Sequence, residues 1–329
     1  MSAGDTDAPA QLPEQAEGYR RELLAHCYRM LGSVHEAEDL VQETYLRAWR
    51  SYGGFEGRSS LRTWLHRIAT TACLTALEGR SRRPLPTGLG APASDPDQPI
   101  AENHEVPWLS PVPDTLLEAD PAGVVTSRES VRLAFVAALQ HLPPRQRAVL
   151  VLREVLQWRA AEVAEAMGMT VAGVNSALQR ARAQLREAAP TLDGVVEPTD
   201  TRQRELLDAW VAAFEAYDID RIVAVFTKDT VWEMPPFPQW YQGAADVGAL
   251  IARQCPAQGP GDMRLVPVRA NAAPGFAMYM RDPVDGTHKR FAVQVLTLTD
   301  AGVAHTAMFF DDELFAAFGL PPVLPSGPR

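Results

Sequence analysis

Cysteine is scarce in this chain of 329 residues, which has only three. Cys27, Cys73 and Cys255 are widely spaced, and none of them belongs to a CxxC pair. An odd number of isolated cysteines supplies neither a disulfide framework nor the ligand spacing of a zinc site. The composition fits a reducing compartment, so we expect a cytoplasmic protein that needs no metal or other cofactor.

A basic excess is also missing, because the formal net charge is −10. Proteins that coat nucleic acid without sequence preference are normally basic overall, so any contact with DNA must be confined to a local patch. Long apolar runs are absent too: no stretch approaches a membrane span, and residues 1–18 lack the apolar core of a signal peptide. We therefore expect no membrane association, and the length predicts two or three domains.

Segment 160–186 has the pattern of a helix-turn-helix. Gly168 supplies a tight turn between a short helix, residues 160–167, and a longer helix that Thr170 can cap. The buried stripe of the longer helix is predicted from its apolar spacing to be Val171, Val174, Leu178, Ala181 and Leu185. Away from that stripe lie the residues that such units present to the DNA major groove: Asn175, Ser176, Gln179 and Arg180. From periodicity alone, a solvated amphipathic hairpin is an equal alternative.

Three helices are predicted before residue 80. Apolar stripes mark residues 19–31 and 35–50, and Ser59 or Ser60 can cap a third helix that runs to about residue 79. On the third helix we expect Trp64 to be buried, and these residues to face outward: Arg62, His66, Arg67 and Thr70. The second helix leaves an acidic patch with one apolar member: Asp39, Gln42, Glu43 and Leu46. Such a face is most often simply solvated.

Segment 84–121 is different in kind, since it contains nine prolines. Residues 93–120 include seven acidic residues and neither lysine nor arginine. This composition predicts an extended linker that cannot bury a core of its own. Trp108 within it needs a place to dock, either as a packing anchor or in a functional contact.

Beyond residue 198 the pattern changes to helices followed by strands. Helices are predicted at 202–218, 220–226 and 243–254. Strands are predicted at 230–234, 264–270, 275–281, 290–299 and 303–310. This order is typical of an α+β domain with an antiparallel sheet.

The order of several sequence blocks carries a resemblance to a known family. AEDLVQETYLRAWRSY (37–52) and FEGRSSLRTWLHRIAT (55–70) resemble region two of the extracytoplasmic-function (ECF) sigma factors of bacterial RNA polymerase. LPPRQRAVLVLREV, followed by AAEVAEAMGMTVAGVNSALQRAR, resembles their region four. The C-terminal blocks VWEMPPFPQWYQG and FAVQVLTLTDAGVAHTAMFFDDELFAAFGLPP resemble the SnoaL-like member of the cone-shaped (NTF2-like) α+β family. Together with PWLSPVPD, they point to the SigG-type group of these factors.

The resemblance implies a multidomain fold with two all-α sigma domains and a C-terminal α+β cone. Region two would be a helical bundle, and region four would be the helix-turn-helix. The implied boundaries are 1–18 for a disordered N-terminus, 19–83 for region two, 84–126 for an acidic proline-rich linker, 127–190 for region four and 199–322 for the SnoaL-like domain.

The resemblance also implies a factor that binds core RNA polymerase and directs initiation at promoters with −10 and −35 elements. The residues implied to bind the coiled coil of the polymerase clamp are Asp39, Leu40, Gln42 and Glu43. Those implied to contact the −10 element are Arg58, Ser60, Arg62 and Arg67, and those for the −35 element are Asn175, Ser176, Gln179 and Arg180. We expect the acidic linker to mimic nucleic acid, in the polymerase cleft or across the basic faces of the sigma domains.

The C-terminal domain raises a choice between regulation and catalysis. The residues expected to line its apolar cone, where a small-molecule ligand could bind, are Trp210, Phe214, Trp232, Met234, Trp240, Tyr241 and Phe309. Glu233, Asp229 or His305 could be proposed for acid–base chemistry, but no carboxylate pair or His–Asp spacing supports an enzyme. We therefore expect no catalytic residue and a regulatory role in cis.

Two other functions stay open at this point. One is a helix-turn-helix transcription regulator that does not require core polymerase, and the other is a SnoaL-like enzyme with a DNA-binding tether. The acidic patch at residues 39–43 favours the initiation factor over the first alternative, because an ordinary regulator has no need of a polymerase site.

Overall fold

The computed structural model describes residues 16–57, 59–117, 129–188 and 199–324. The chain divides into two compact units, each described here by itself. The helical unit comprises residues 1–83 and 114–190, and the mixed unit comprises residues 84–113 and 191–329. The disorder predicted for residues 1–18 lies mostly outside the described residues. Ala16, the first of them, is buried, and its carbonyl oxygen accepts a hydrogen bond from the Tyr45 hydroxyl at 3.1 Å.

The first group of helices in the helical unit is α1 (Arg20–Leu31), α2 (Val34–Ser51) and α3 (Leu61–Ala76). Side-chain caps fix two of the helix starts. Ser33 Oγ accepts from the Glu36 amide at 3.4 Å, and Ser60 Oγ accepts from the Thr63 amide at 3.1 Å. The three helices that the sequence predicts before residue 80 are confirmed.

The second group is α4 (Leu133–Gln140), α5 (Pro144–Leu150), α6 (Ala160–Met167) and α7 (Val171–Ala188). A π-helical turn, Val151–Val155, continues α5. Gly168 adopts a left-handed conformation with φ 63° between α6 and α7, and Thr170 Oγ1 accepts from the Gly173 amide at 3.0 Å. The predicted helix-turn-helix is confirmed with the predicted turn and cap.

Two buried arginines join the two groups of helices. Arg29 on α1 donates from Nη2 to Ser130 Oγ at 2.8 Å and from Nε to Ser130 O at 3.2 Å. Arg147 on α5 donates to the carbonyl oxygen of Met30, which lies near the end of α1. Burial lowers the pKa of both guanidinium groups to about 10. The two sigma-like domains inferred from the sequence therefore share one buried polar interface within the helical unit.

Three side chains of this unit face differently from the sequence expectation. His66 and Thr70 were expected to point outward, but both are buried. They face α1, where His26 Nε2 lies 2.9 Å from Thr70 Oγ1. Val171 was assigned to the buried stripe, but it is 46% exposed at the start of α7.

The mixed unit has helices α8 (Asp200–Glu215), α9 (Ile219–Val225), α10 (Ala244–Gln254) and α11 (Asp312–Ala317). Its described strands are β1 (Phe226–Glu233), β2 (Trp240–Gln242), β3 (Met263–Ala270), β4 (Ala273–Arg281), β5 (His288–Thr299), β6 (Gly302–Phe309) and β7 (Val323–Leu324). They form one sheet in the order β2-β1-β6-β5-β4-β3, with β7 paired to β5. The predicted α+β class is confirmed.

One strand pair departs from the antiparallel sheet that the sequence suggests. β1 and β6 run parallel, with Trp232 opposite Thr306. Parallel strands need a long crossover, and the chain between these two strands includes α10 and four strands of the sheet. Strands β3 to β6 pair antiparallel with their chain neighbours, as hairpin-type turns predict.

The apolar core of the mixed unit lies between the helices and one face of this sheet. Trp210 and Phe214 of α8 meet Trp232 of β1, with ring centroids 6.3 Å and 6.4 Å from the Trp232 ring. The amphipathic spacing of α8 and the alternation along β1 place these rings on facing surfaces. Within the described residues of the chain, no helix combines the length and apolarity needed to cross a lipid bilayer.

Candidate functional site

Four polar side chains of α7 form the outer face of the helix-turn-helix. Asn175, Ser176, Gln179 and Arg180 are all exposed, whereas Val174 and Leu178 are buried on the other side of the helix. Amide, hydroxyl and guanidinium groups at this spacing are the donors and acceptors that can read base edges in a major groove. The predicted residues thus lie together on one accessible surface.

Helix α2 presents a second exposed surface, which we call the α2 stripe and define as Asp39, Gln42, Leu46 and Trp49. Their spacing of three and four residues aligns them along one side of the helix. Leu46 is 50% exposed and Trp49 is 59% exposed, which is unusual for large apolar side chains. The stripe therefore combines an acidic end with an apolar end.

The other two residues predicted for this patch lie at the edge of the α2 stripe. Leu40 and Glu43 are only partly exposed. Glu43 accepts a hydrogen bond from Arg47 Nε at 2.7 Å, one helical turn further along. Trp49 was not singled out from the sequence, although its i+3 spacing from Leu46 was a signal that could have found it.

The residues predicted for −10 contact are divided among different local roles. Ser60 is engaged as the N-cap of α3, and Arg62 Nε is ion-paired to Glu22 Oε2 at 2.6 Å. Arg67 is exposed on the same helix. Arg58 lies outside the described residues. Of the two described arginines in this set, Arg62 is ion-paired with Glu22 and Arg67 is exposed.

Five of the seven residues predicted for the cone lie in the core of the mixed unit: Trp210, Phe214, Trp232, Met234 and Tyr241. Their rings fill the space between α8 and the sheet, since Trp210 and Phe214 lie 4.6 Å apart and Phe226 meets Trp210 edge-on at 5.5 Å. The interior is thus a packed aromatic cluster.

Trp240 and Phe309 are corrections to the predicted cone lining. Phe309 follows Met308, a member of the core cluster, so strand alternation directs Phe309 to the opposite face of the sheet. Trp240 Nε1 donates to the carbonyl oxygen of Ala91 at 2.9 Å and so contacts the proline-rich segment instead of the cone. The sequence pattern could not reveal this contact because it joins positions far apart in the chain.

Four buried polar atoms of the described residues lie on the cone side of the sheet without hydrogen-bond partners. Among the described residues, no partner is found for the buried atoms Thr230 Oγ1, Trp232 Nε1, Tyr241 Oη and Thr306 Oγ1. Trp232 is opposite both Tyr241 and Thr306 in the strand register, and Thr230 is two residues before Trp232. All four therefore face the same side of the sheet.

Glu233 and His305 form a carboxylate–imidazole pair on the opposite face. His305 Nε2 lies 2.7 Å from Glu233 Oε1, and the Thr87 amide donates to Glu233 Oε2 at 2.7 Å. Burial opposes ionisation of Glu233, but the hydrogen bonds from His305 and Thr87 outweigh it and hold the pKa of the carboxyl below its usual value. Both carboxylate oxygens are occupied, so the pair serves to hold residue 87 in place.

Residues 84–113 dock on the mixed unit instead of forming the free spacer that their composition predicts. The backbone makes ordered hydrogen bonds to the domain: Ser94 N to Trp240 O at 2.7 Å, Asn103 N to Pro236 O at 2.9 Å and Asn271 N to Val112 O at 3.0 Å. Leu109 and Val112 are fully buried. This segment is called the docked segment below. Residues 118–126 of the predicted linker lie outside the described residues.

Of the two roles considered for Trp108, a packing anchor or a functional contact, the structure shows a packing role. Its Nε1 donates to the Asn103 carbonyl oxygen at 2.8 Å, within the docked segment, and its neighbour Leu109 is buried. In the described residues, no group of three or more His, Cys, Asp or Glu side chains is placed to hold a metal ion.

Three family descriptions match consecutive parts of the chain. Residues 16–83 match Sigma-70 region 2, and residues 132–185 match Sigma-70 region 4. Residues 207–304 match the SnoaL-like domain. These matches cover the helical groups and the cone in the order in which they occur along the chain.

Similar proteins share this organisation. The ECF RNA polymerase sigma factor SigG of Mycobacterium tuberculosis is 59% identical over 307 residues, which cover 93% of this chain and 82% of that protein. SigJ of the same organism is 28% identical over 74% of this chain and 73% of its own length. The crystal structure of SigJ aligns with a TM-score of 0.60, at 22% identity, over 94% of this chain and 100% of that one. The SigJ structure supports the fold alone.

Proposed function

The chain belongs to the ECF RNA polymerase sigma factors, and from that premise we propose which of its residues carry out promoter-specific transcription initiation. As a member of the family it binds core RNA polymerase and directs initiation at specific promoters. The family consists of initiation factors and not enzymes, and we propose that this protein acts with the polymerase in the cytoplasm.

The α2 stripe is the proposed docking surface for core RNA polymerase, on the coiled coil of the clamp subunit. The observation that carries this proposal is the exposure of Leu46 and Trp49 beside Asp39 and Gln42. Buried aromatic anchors provide most of the energy of protein interfaces, and acidic groups steer the encounter with a basic partner. Leu40 and Glu43 would complete the edge of this surface.

The outer face of α7 is proposed to read the −35 element. Asn175 and Gln179 can pair with adenine, and Arg180 can pair with guanine. Arg67 is proposed to hold a phosphate near the −10 element, because α3 exposes it and it has no ion pair with an acidic residue in the described part of the chain. Ser60 and Arg62 would join only if DNA displaced the cap hydrogen bond and the ion pair with Glu22.

The mixed unit is proposed to regulate the sigma regions in cis. A small-molecule ligand is also proposed for its interior, where it would have to displace part of the aromatic cluster to reach the four buried polar atoms on the cone side of the sheet that lack partners among the described residues. Hydroxyl and indole groups suit a small uncharged molecule with hydrogen-bonding atoms. Native mass spectrometry of the purified chain tests this ligand directly, since a bound molecule adds its mass to the protein.

Two variants test whether core binding and promoter recognition are carried out by separate surfaces. Trp49→Ala is expected to weaken binding of core polymerase by about 2 kcal/mol, or roughly thirtyfold, because the variant removes an interfacial aromatic anchor. Arg180→Ala changes a residue of α7 that is exposed, as Trp49 is, so it should leave core affinity unchanged and weaken promoter recognition.

Core affinity is measured by fluorescence anisotropy of the labelled full chain, and promoter recognition by transcription with core polymerase supplied in excess. Equal core affinity for Trp49→Ala and the unchanged chain would remove the α2 stripe from the proposal. A loss of core affinity in Arg180→Ala would show instead that the two surfaces are not separate.

A further inference from the structure

The docked segment is a closed loop. The Leu109 amide donates to the Pro84 carbonyl oxygen at 3.1 Å, so the chain returns to its starting point after residues 85–108. The chain then leaves the mixed unit at Val112 and Pro113, which pair with Asn271 and Ala270 on the β3–β4 turn. The loop therefore adds no length to the path between region two and region four.

Contacts along the whole loop hold it on the mixed unit. Near its start, Thr87 N is bonded to Glu233 Oε2 at 2.7 Å, and Ala91 O accepts from Trp240 Nε1 at 2.9 Å. Near its middle, Asp97 Oδ1 is ion-paired with Arg253 Nη2 at 2.8 Å. The apolar anchors are distributed at both ends and in the middle: Leu85, Ile100, Leu109 and Val112.

We infer that docking of residues 84–113 on the mixed unit inhibits promoter binding by shortening the tether between region two and region four. The inference rests on the proposed recognition of both promoter elements by one chain, and it gives the proposed cis regulation a direction. The mixed unit represses while the segment is docked, and release of the segment activates.

The lengths involved make docking and promoter binding antagonistic. The −10 and −35 elements are about 25 base pairs apart, which is about 85 Å of duplex. A released tether of residues 84–132 extends to roughly 160 Å, so it covers that separation at about half extension. With the segment docked, residues 114–132 and the short exit from Leu109 to Pro113 reach roughly 80 Å, and only when completely stretched.

Full extension carries a large entropic cost. By comparison, any random coil of about 19 residues has a root-mean-square span of only about 24 Å. Docking therefore favours the arrangement seen in the helical unit, where Arg29 and Arg147 join the two groups of helices. Because binding free energies are reciprocal, promoter DNA must favour release of the segment as much as docking opposes promoter binding.

A reversible cross-link tests the inference on the full chain. Asp97→Cys and Arg253→Cys place thiols at the exposed ion pair, in a background with Cys255→Ser, and Cys27 and Cys73 are buried. A short bis-methanethiosulfonate reagent joins the two thiols through disulfides, and dithiothreitol removes it. Transcription from a promoter with both elements is measured before and after reduction.

The locked chain is expected to bind core polymerase normally but to transcribe about tenfold less or worse, with full recovery on reduction. Equal transcription by the locked and reduced chains would overturn the inference and leave the proposed function intact. Absence of promoter-dependent transcription from the reduced chain would overturn the proposed function and the inference with it.

A lengthened tether separates the effect of length from any other effect of docking. Insertion of about 25 glycine and serine residues between residues 120 and 121 restores roughly the contour that docking removes. The locked, lengthened chain should therefore transcribe within about twofold of its reduced form. If it stays as inactive as the locked chain of natural length, tether length is not the cause.

Discussion

His26 and His66 lie side by side in the helical unit, with ring centroids 5.5 Å apart. Thr70 Oγ1 donates to His66 O, so it accepts the proton of His26 Nε2, and His66 Nδ1 donates to Arg62 O. Each neutral ring thus uses its single N–H. The buried atoms His26 Nδ1 and His66 Nε2 have no hydrogen-bond partner among the described residues, so a second proton on either ring would lack an acceptor.

Stability should consequently fall as the pH decreases from 7 to 5. Burial is the main cause that lowers the pKa of His66 from 6.5 to about 4. The positive charges of Arg62 and Arg29 lower the pKa further, whereas the hydrogen bond to the Arg62 carbonyl and the negative charge of Glu22 partly offset the decrease. Burial likewise lowers the pKa of His26, with help from His66 and Arg29. The unfolded chain binds more protons in this range, so the free energy of unfolding decreases by about 1–2 kcal/mol per histidine.

Urea unfolding followed by circular dichroism at pH 7 and pH 5 measures this effect. His66→Gln should remove about half of the pH dependence, because glutamine keeps a polar group in the site without titrating. His104→Gln serves as the control, since His104 is exposed and its ion-pair partner among the described residues is Glu102. A pH dependence unchanged in His66→Gln would refute the assignment.

Arg180 should carry base discrimination, and Arg182 should not. Arg180 lies on the exposed face of α7, whereas Arg182 Nη2 is bonded to Glu154 Oε1 at 2.6 Å. In Arg180→Ala, substitution of the matching −35 base pair should no longer weaken transcription by the about 1–3 kcal/mol expected for a mismatch. Arg182→Ala should keep that penalty, and transcription from a panel of −35 variants distinguishes the two.

At the scale of elements, the helix-turn-helix depends on one backbone conformation. Gly168 has φ 63°, and a Cβ atom there would meet nothing within 4 Å. Gly168→Val is therefore expected to cost about 1–2 kcal/mol from the left-handed conformation alone, without a steric clash. Gly53→Ala is the matched control, because that site is equally open and has no positive φ.

Thermal unfolding of the two variants checks the prediction. Gly168→Val should lower the midpoint by several degrees and Gly53→Ala should hardly change it. Equal midpoints for Gly168→Val and the unchanged chain would mean that another turn conformation is available to residues 167–170.

Elements with a regular period were predictable from the sequence. α7 was predicted through Thr170 and Gly168, and its polar face was predicted because apolar residues at helical spacing define the buried side. Two kinds of feature escaped this reasoning. The burial of His66 depends on α1 and on Trp158 in the second group of helices, and the parallel pairing of β1 with β6 depends on a crossover that no local pattern records.

At the scale of the whole molecule, the docking of residues 84–113 was the least predictable feature. Segments rich in proline and acidic residues are normally solvated linkers, and the composition of this segment therefore predicted a linker. The interactions that overrule this pattern involve single distant partners, such as Glu233 for Thr87 and Trp240 for Ala91. Glu233 and His305 were noted separately in the sequence, but only the register of β1 and β6 brings them within 2.7 Å.

The central claim, that this chain is a promoter-specific initiation factor, is tested most directly by run-off transcription with core RNA polymerase and the purified full chain. We predict a discrete transcript that requires the added protein. Trp49→Ala should reduce the amount of this transcript when core polymerase is limiting. Specific binding to promoter DNA without any transcript in the presence of core polymerase would contradict it.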